Sequence, residues 1–327
     1  MNHKPGRFRR LLLAAMAATS MTAAFAQAPA YPSRPVKLVV GFAPGGAADY
    51  VARVMSEAMG KSLGQPIVIE NRAGGGSSIA ADAVAKSAPD GYTVLIASPA
   101  SISVNPALNP RLGYSPRDLQ PVGKLTSSPL VLAVNPATGI SSVRELIERA
   151  RKAPGTLNYA TSGNGSAPHL GAALFLQITG VQMTHIPYRG GAPAIQSVIA
   201  GDTQLTFGTP PSVLPQVPSR LRALAVSTRE GSSLVPGVPG MAAAGLPDYA
   251  IEFWYGLFVP AGTPAPVVRK LFDAAIAAMQ QPAVKAALAR EGTEVSLSAS
   301  PEDFGAFLAE DAKFWTKLVK DAGVKLE

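Results

Sequence analysis

Short apolar runs alternate with amphipathic stretches through most of the chain, and this alternation predicts strands separated by helices. The runs that predict strands lie at residues 36–40, 66–70, 93–97, 131–134, 157–160, 183–186, 204–207 and 221–226. After the first run, apolar residues recur at helical spacing from Val51 to Ala58, and Gly60 is the predicted end of that helix. Ser142 and Glu145 have the spacing of a capping box at another helix start. Strands that alternate with helices favour parallel sheets with crossover helices, so the predicted fold class is α/β.

The length of the chain favours two lobes. Without its first 26 residues the chain has about 300, which is more than one hydrophobic core usually holds. No flexible linker interrupts the sequence, so we expect strands to cross between the lobes, at 122–125 and 223–228. The expected division puts 27–123 and 228–327 in lobe 1, and 124–227 in lobe 2.

Residues 1–26 have the pattern of a secretory signal peptide. Basic residues precede an apolar run at 11–18, and Ala24-Phe25-Ala26 supplies the small residues that signal peptidase requires. A membrane anchor would need about 20 apolar residues, and this run is shorter. We therefore predict export with cleavage after Ala26.

Charge and composition exclude several classes of function. Loss of the leader would lower the formal charge from +8 to +4, and no dense Lys/Arg cluster remains to bind nucleic acid. The mild positive excess suits a small anion. The sequence has no cysteine, which excludes disulfides, thiolate catalysis and Cys-ligated metals. Only His169 and His185 lie outside the leader, so we expect no metal site, and we expect no cofactor.

Three segments place a glycine-containing loop between a predicted strand and a helix. They are Phe42-Ala43-Pro44-Gly45-Gly46-Ala47-Ala48-Asp49, Thr161-Ser162-Gly163-Asn164-Gly165-Ser166 and Tyr188-Arg189-Gly190-Gly191. The first N–H groups of a helix are unpaired and partly positive, so they bind anions, and glycine allows close approach of a ligand. Open α/β sheets bind ligands at such strand ends. Each loop alone could be a tight turn, but three in one exported chain favour an anion-binding cleft.

Single side chains in these loops allow two interpretations. Asp49 is either a first-turn acid favoured by the helix dipole, or it orders its loop or a bridging water. Ser166 is the predicted cap of the helix opened by Ala167-Pro168. His169 is either a ligand donor or a structural histidine. Arg189 is the one fixed cation in the three loops, and a carboxylate is its expected partner.

At these loops the sequence resembles the tripartite tricarboxylate transporter substrate-binding proteins, the Bug family of proteobacteria. The matching pieces are Phe42-Ala43-Pro44-Gly45-Gly46 with Asp49, Glu70-Asn71-Arg72-Ala73-Gly74, Ala88-Pro89-Asp90-Gly91-Tyr92-Thr93, Ser162-Gly163-Asn164-Gly165-Ser166 with His169, His185-Ile186-Pro187-Tyr188-Arg189-Gly190, Pro239-Gly240-Met241, Ala244-Gly245-Leu246-Pro247, Trp254-Tyr255-Gly256-Leu257 and Pro260-Ala261-Gly262-Thr263-Pro264. They run in order from about Pro32 to the last helix.

The resemblance implies a class II periplasmic-binding-protein fold, with two α/β lobes, a ligand cleft between them and two crossover strands. It also implies a carboxylate held between the first two loops, often through ordered waters, and a permease of one large and one small membrane subunit. A dedicated permease is not assured, because many members are encoded far from one. We expect a periplasmic monomer. The candidate ligand-binding residues are Phe42, Ala43, Pro44, Gly45, Gly46, Asp49, Thr161, Ser162, Gly163, Asn164, Gly165, Ser166, His169, Tyr188, Arg189, Gly190 and Gln204.

One residue departs from the family pattern. Relatives usually carry an acidic residue where this chain has Gln204, just before Leu205-Thr206-Phe207. Any ligand contact made by that acid is therefore in doubt here, and Asp202 lies two residues away along the chain.

Two other functions compete with solute capture. A ligand sensor for a membrane signalling protein would have the same fold. A secreted hydrolase would need a Gly-x-Ser-x-Gly elbow, which the segment around Ser166 lacks, and two histidines leave little room for a triad. Gly60-Lys61-Ser62 mimics the end of a nucleotide-binding loop, but Met55 occupies the position of its first glycine. The sequence therefore predicts a binding protein with no catalytic residue.

Overall fold

The computed structural model describes residues 31–109 and 111–321, so the predicted signal peptide and its cleavage site lie outside the described residues. The strands are β1 (Val36–Val40), β2 (Ile67–Asn71), β3 (Thr93–Ala97), β4 (Leu119–Pro129), β5 (Val131–Val134), β6 (Asn158–Thr161), β7 (Thr184–Pro187), β8 (Leu205–Gly208), β9 (Arg222–Val226), β10 (Glu252–Pro260) and β11 (Glu294–Val295).

Helices connect most of these strands. The α-helices are α1 (Ala47–Leu63), α2 (Ser78–Ala85), α3 (Asn105–Leu108), α4 (Val143–Lys152), α5 (Ala167–Thr179), α6 (Gly191–Ala200), α7 (Pro210–Val213), α8 (Ala265–Gln280), α9 (Pro282–Arg290) and α10 (Pro301–Asp321). Short 3₁₀ turns lie at Gly75–Ser77, Pro116–Asp118, Pro136–Thr138 and Leu214–Gln216, and a π-helical turn lies at Ala100–Val104. No helix among the described residues is long and apolar enough to cross a membrane.

Two sheets form the cores of two lobes. The sheet of lobe 1 has the order β11-β4-β10-β3-β1-β2, and the sheet of lobe 2 has the order β7-β6-β8-β5-β9. β1, β2 and β3 pair in parallel, as do β6, β7 and β8, which puts their carboxyl ends at one edge of each sheet. The predicted α/β fold of two lobes is confirmed.

The chain passes between the sheets in two places. β4 pairs with β10 as far as Pro129, and the chain then enters β5 of the other sheet. It leaves lobe 2 after β9 and returns to lobe 1 in β10. Ser227 joins the two passages, because its hydroxyl accepts from the N–H of Leu130 at 2.7 Å and donates to the carbonyl of Ile251 at 2.5 Å. The expected crossover at 122–125 lies within β4, before the chain crosses after Pro129, and the expected crossover at 223–228 covers most of β9 and the start of the segment that leads to β10.

The last helix, α10, packs on both lobes. Near its start, Phe304 lies edge-on to Trp254 with ring centroids 5.5 Å apart, in the core of lobe 1. Further along, Trp315 packs 4.8 Å from Phe253 in the core of lobe 2. The two lobes therefore share this helix as well as the crossing strands.

Three local predictions need correction. α1 continues past Gly60 to Leu63, because the left-handed residue that ends it is Gly64, at φ 73°. Glu145 does not complete a capping box with Ser142, since its carboxylate accepts from the N–H of Ser141 instead. β10 was missed, although its run of nearly continuous apolar residues is typical of a strand buried on both faces.

Candidate functional site

The starts of three helices meet at one space between the lobes, which we call the inner chamber. Its cavity volume is about 20 Å³. Ala47 and Ala48 at the start of α1 line it from lobe 1, while Ala167 and Pro168 of α5 and Gly191 of α6 line it from lobe 2. The chamber is narrow, since little of this space would admit the centre of a water molecule. The first turns of these helices, whose N–H groups lack a partner within their own helix, thus border one small volume.

The inner chamber adjoins a larger space that we call the outer chamber, with a cavity volume of about 320 Å³. Phe42 and Ser162 line both chambers and stand between them. The wall from lobe 1 is a glycine-rich turn at residues 74–77, and Gly163, Asn164, Tyr188 and Arg189 form the wall from lobe 2. A ligand that enters past the outer chamber can therefore reach the helix starts.

The two lobes touch around these chambers, so the cleft is closed. The N–H of Ala43 in lobe 1 donates to the carbonyl of Arg189 in lobe 2 at 3.3 Å. Gly76 lies so near lobe 2 that a Cβ on it would stand 2.0 Å from the carbonyl oxygen of Asn164. A Cβ on Gly190 would stand 2.9 Å from the Cβ of Ala43. These glycines permit close contact of the lobes.

Asp49 holds the loop at residues 42–49, which we call the lobe 1 loop. Its carboxylate accepts from the N–H of Gly45 at 2.9 Å, from Arg53 Nε at 2.8 Å and from Asn71 Nδ2 at 3.0 Å. Asn71 also donates to the carbonyl of Phe42 at 3.0 Å. Burial alone would raise the pKa of Asp49, but these donors and the charge of Arg53 outweigh it and lower the pKa below its ordinary value. Asp49 therefore orders its loop.

Gly45 and Gly46 serve different purposes in this loop. Gly45 has φ 82°, a left-handed conformation that favours glycine. Gly46 is extended, at φ −87° and ψ 172°, which any residue can adopt. A Cβ on Gly46 would lie 3.5 Å from the nitrogen of Gly191, which is an ordinary contact. A Cβ at Gly46 is thus tolerated where α1 and α6 begin face to face.

Two histidines support the loop at residues 161–166, which we call the lobe 2 loop. His169 Nδ1 accepts from the N–H of Gly165 at 3.0 Å, and His185 Nε2 lies 2.6 Å from the hydroxyl oxygen of Thr161. Ser166 occupies the N-cap position of α5 but makes no capping bond with its side chain. Its hydroxyl is buried without a partner among the described residues. Ser166 is therefore the N-cap residue of this helix, as predicted, but its side chain makes no capping bond.

The third loop contributes one bonded and one exposed side chain. The Tyr188 hydroxyl donates to Ser197 Oγ at 2.6 Å, which ties the loop to α6. Arg189 is exposed and lines the outer chamber. It is the only charged residue lining either chamber in the part of the chain that the structure describes.

The predicted site residues thus divide into two groups. Those that line a chamber are Phe42, Gly46, Ser162, Gly163, Asn164, Tyr188 and Arg189. The others do not line either chamber: Ala43, Pro44, Gly45, Asp49, Thr161, Gly165, Ser166, His169, Gly190 and Gln204.

Gln204 belongs to the support of the sheet. Its Oε1 accepts from the N–H of Asn158 at 2.8 Å, at the start of β6, and its Nε2 donates to the carbonyl of Gly201 at 3.3 Å. The start of β6 is the end of the strand away from the lobe 2 loop. A ligand contact by Gln204 therefore has no support in this structure.

Several lining residues were not predicted. In the inner chamber they include Ser98, Thr206, Thr209, Ser212, Ile195 and Tyr255, and in the outer chamber they include Gly41 and residues 73–77. Gly74-Gly75-Gly76-Ser77 follows a predicted strand, so the rule that identified the other loops would also have found it. Ser98 and Thr209 follow β3 and β8 directly and could have been found from strand ends.

Asn105 is a buried residue that the sequence did not single out. Its Nδ2 donates to the carbonyls of Gly75 and Gly76, each at 3.0 Å, and to Ser78 Oγ at 2.7 Å. These bonds hold the left-handed turn of lobe 1 against the cleft. No group of His, Asp or Glu that could hold a metal ion occurs within residues 31–109 and 111–321.

Comparison with known proteins gives a consistent result. A family described as the tripartite tricarboxylate transporter family receptor matches residues 51–324. Protein BugT of Bordetella pertussis is 37% identical over 313 residues, which cover 95% of this chain and 96% of BugT.

Two solved structures are also similar. A protein of R. palustris solved with adipate is 34% identical, with a TM-score of 0.87 over 90% of this chain and 99% of that one. MatC from Rhodopseudomonas palustris, with bound malate, is 32% identical, with a TM-score of 0.84 over 88% of this chain and 100% of that one. Proteins of this family are periplasmic receptors and not enzymes. The chain belongs to the tripartite tricarboxylate transporter receptor family.

Proposed function

We propose that this protein captures a small organic dicarboxylate in the periplasm and presents it to a two-subunit membrane permease. The observation that carries this proposal is the meeting of three helix starts, one from lobe 1 and two from lobe 2, at the inner chamber. Each start offers unpaired N–H groups and a partial positive charge. A carboxylate bound there would contact both lobes at once, so binding would favour the closed form.

The charge of the chamber walls supports an anionic ligand. Among the described residues, neither chamber is lined by an aspartate or glutamate, and Arg189 adds a cation at the outer chamber. The one acid near the lobe 1 loop, Asp49, is 2% exposed and already accepts three hydrogen bonds. An ammonium group would therefore find no carboxylate in the cleft, whereas a carboxylate would find N–H donors.

The similar structures support the ligand class. The R. palustris protein was solved with adipate and MatC with malate, and both ligands are dicarboxylates. The inner chamber would hold one carboxylate of such a ligand, and the outer chamber has room for the rest of it. We also propose that the exported protein is a monomer cleaved after Ala26, which intact mass and light scattering would test.

Thermal unfolding tests the ligand class. A ligand that binds the native state alone stabilises it by about 2.7 kcal/mol at a hundred times its Kd. For a protein of this size the expected rise in Tm is about 5 °C or more. Adipate and malate should produce such a rise, while their dimethyl esters should produce none because they lack the charge that the N–H groups complement. A rise with neutral sugars or cations, and none with any dicarboxylate, would contradict the proposal.

A glycine variant tests whether closure contributes to binding. Alanine at Gly76 would place a Cβ against the Asn164 carbonyl of the other lobe, so the Gly76→Ala variant should hold the cleft open and weaken dicarboxylate binding by about tenfold or more. Gly139→Ala is the matched control, because Gly139 has φ 72°, close to the 58° of Gly76, but no atom within 4 Å of its Cβ position. Calorimetric titration of both variants measures the difference. Equal affinities would show that ligand binding does not need this closure.

A further inference from the structure

The two histidines outside the leader lie against each other. The rings of His169 and His185 are stacked, with centroids 4.1 Å apart and planes 9° apart. Tyr159 stacks on His185 as well, at 5.1 Å. His169 stands in the first turn of α5 and His185 in β7, so the pair joins two elements on either side of the lobe 2 loop. Neither ring lines a chamber among the described residues.

His169 binds the lobe 2 loop through an unprotonated nitrogen. Its Nδ1 accepts from the backbone N–H of Gly165 at 3.0 Å, so the proton of the neutral ring is on Nε2. His169 is 6% exposed and Gly165 is buried, so no water can readily replace this acceptor. Without it the Gly165 N–H would be left unsatisfied in the interior.

His185 binds the other end of the same loop. Its Nε2 lies 2.6 Å from Thr161 Oγ1, and that oxygen accepts from the N–H of Gly163 at 3.2 Å. The Thr161 hydroxyl has one proton, and its other acceptor, the Gly163 carbonyl, is further away at 3.4 Å. We assign the proton to the short contact, so that Thr161 donates to an unprotonated His185 Nε2.

We propose that His169 and His185 are positioning residues, a stacked pair of neutral rings that holds the lobe 2 loop in its ligand-binding shape without contacting the ligand. The role in binding rests on the proposed function, but the hydrogen bonds can be tested without any ligand. Each ring accepts a bond with one nitrogen, so protonation of either ring would turn an acceptor into a donor and break its bond to the loop. Two charged rings at this separation would also repel each other.

The surroundings keep both rings neutral. Burial, and to a smaller extent the neighbouring His185, lowers the pKa of His169 to about 3, while burial lowers the pKa of His185 to about 4. The pair contacts the Gly165 N–H, the Thr161 hydroxyl and the Tyr159 ring, and burial raises the pKa of Tyr159 to about 12, so it stays uncharged as well. The loop is therefore expected to keep its shape from pH 5 to 8.

Replacement of His169 tests the role in binding. His169→Leu removes the acceptor for Gly165 and should weaken adipate or malate binding by about tenfold or more. His169→Asn is the conservative variant, because its side-chain oxygen can accept in place of Nδ1, and it should bind within about threefold of the parent. Equal binding by the parent and the Leu variant would overturn the proposal. It would also be overturned if the Asn variant bound as weakly as the Leu variant although its Gly165 amide remained protected from hydrogen exchange.

Replacement of Thr161 tests the second bond independently. Thr161→Val removes the hydroxyl that joins His185 to Gly163, and Thr161→Ser keeps it. Amide hydrogen exchange in ligand-free protein should speed up at Gly163 and Gly165 in the Val and His169→Leu variants, by about tenfold or more, and stay near the parent rate in the Ser and Asn variants. Unchanged exchange in the Val and Leu variants would overturn the proposal even if they unfold at lower temperature.

Nuclear magnetic resonance of the ligand-free protein provides a further readout. Nitrogen shifts should show an unprotonated Nδ1 on His169 and an unprotonated Nε2 on His185 from pH 5 to 8, and a protonated nitrogen at either place would overturn the proposal. These results also separate two kinds of failure. If no dicarboxylate binds the parent protein, the proposed function is wrong, while the tautomers and exchange rates still decide whether the histidines hold the loop.

Discussion

The lobe 1 loop and the lobe 2 loop face each other across the cleft, but different chemistry holds each one. In lobe 1 the ionised carboxylate of Asp49 gathers Gly45, Arg53 and Asn71. In lobe 2 two uncharged rings accept from Gly165 and Thr161. The comparison shows that a loop can be fixed with or without charge.

The difference has an electrostatic reason. A carboxylate near an anion site would repel the ligand, but both oxygens of Asp49 are occupied by donors, and Arg53 balances its charge. Positive histidines would attract the ligand but could not accept the bonds that hold the loop. Neutral rings on one side and a neutralised acid on the other leave the helix starts as the main source of field in the inner chamber.

The largest expected effect is a difference between the two loops in how their contribution to stability depends on pH. The pKa of a buried histidine in the folded protein is lower than its ordinary value of 6.5, here about 3 for His169 and about 4 for His185. Its contribution to the free energy of unfolding is complete above pH 6.5 and decreases as the pH falls toward the folded pKa. Asp49, with its pKa lowered, gives stability that persists above its ordinary 3.8 and disappears only below it. Between pH 7 and 5 the histidine pair alone should therefore lower the free energy of unfolding, by about 2–4 kcal/mol.

Urea unfolding at pH 7 and pH 5 measures this loss. His185→Phe keeps a stacked ring that cannot titrate, so this variant should lose about half as much stability between the two pH values as the parent does. Other groups also titrate, such as Asp311, because burial raises its pKa. Their contribution to the change in stability cancels when the parent is compared with the variant. A parent protein that is equally stable at both pH values would show that the pair carries no such linkage.

Asp49→Ala is expected to have the next largest effect. It removes the group that accepts hydrogen bonds from three donors. Gly45 and Arg53 are exposed enough to bind water instead, which limits the expected loss of stability to about 2–3 kcal/mol. Dicarboxylate affinity should fall by about tenfold or more, because the turn at Gly45 loses its anchor. Asp273→Ala is the control, since Asp273 forms an exposed i,i+4 pair with Arg269 and should cost about 0.5 kcal/mol or less. Similar losses in both variants would mean that Asp49 stabilises the protein no more than an acid in an exposed ion pair does.

The sequence predicted the parts of the site that depend on neighbours along the chain. The lobe 1 and lobe 2 loops follow strands whose apolar runs are plain, and the helix signals stand directly after them. Both interpretations of Asp49 were open, and the bond to Gly45 four residues earlier decided between them. Local spacing made this bond possible, because donor and acceptor lie four residues apart, but it did not choose between the two interpretations.

The remaining parts depend on pairing between distant segments. Asn71 reaches Asp49 because β2 lies beside β1, where Val40 pairs with Asn71. The histidine stack needs the register of β6 and β7, which pairs Tyr159 with His185. A sequence pattern does not give strand register between segments that are not joined by a hairpin. Both interpretations of His169 therefore stayed open, because nothing along the chain showed that His185 would lie beside it.

The smallest expected effect concerns how much the ion pair between Arg53 and Asp49 contributes to holding the lobe 1 loop. Arg53 has a side chain that is 55% exposed, so water and salt screen its attraction to Asp49. Arg53→Gln should cost about 0.5–1 kcal/mol of stability and change dicarboxylate affinity by about twofold or less, because Gly45 and Asn71 still donate to Asp49. The pKa of Asp49 should rise in this variant, since Arg53 supplies the largest lowering contribution, so acid unfolding should begin at a higher pH than in the parent. Acid titration followed by tryptophan fluorescence measures that midpoint. If Arg53→Gln lost as much stability and affinity as Asp49→Ala, the ion pair and not the neutral donors Gly45 and Asn71 would hold the lobe 1 loop. The lobe 1 loop would then depend on charge, whereas the lobe 2 loop depends on uncharged rings.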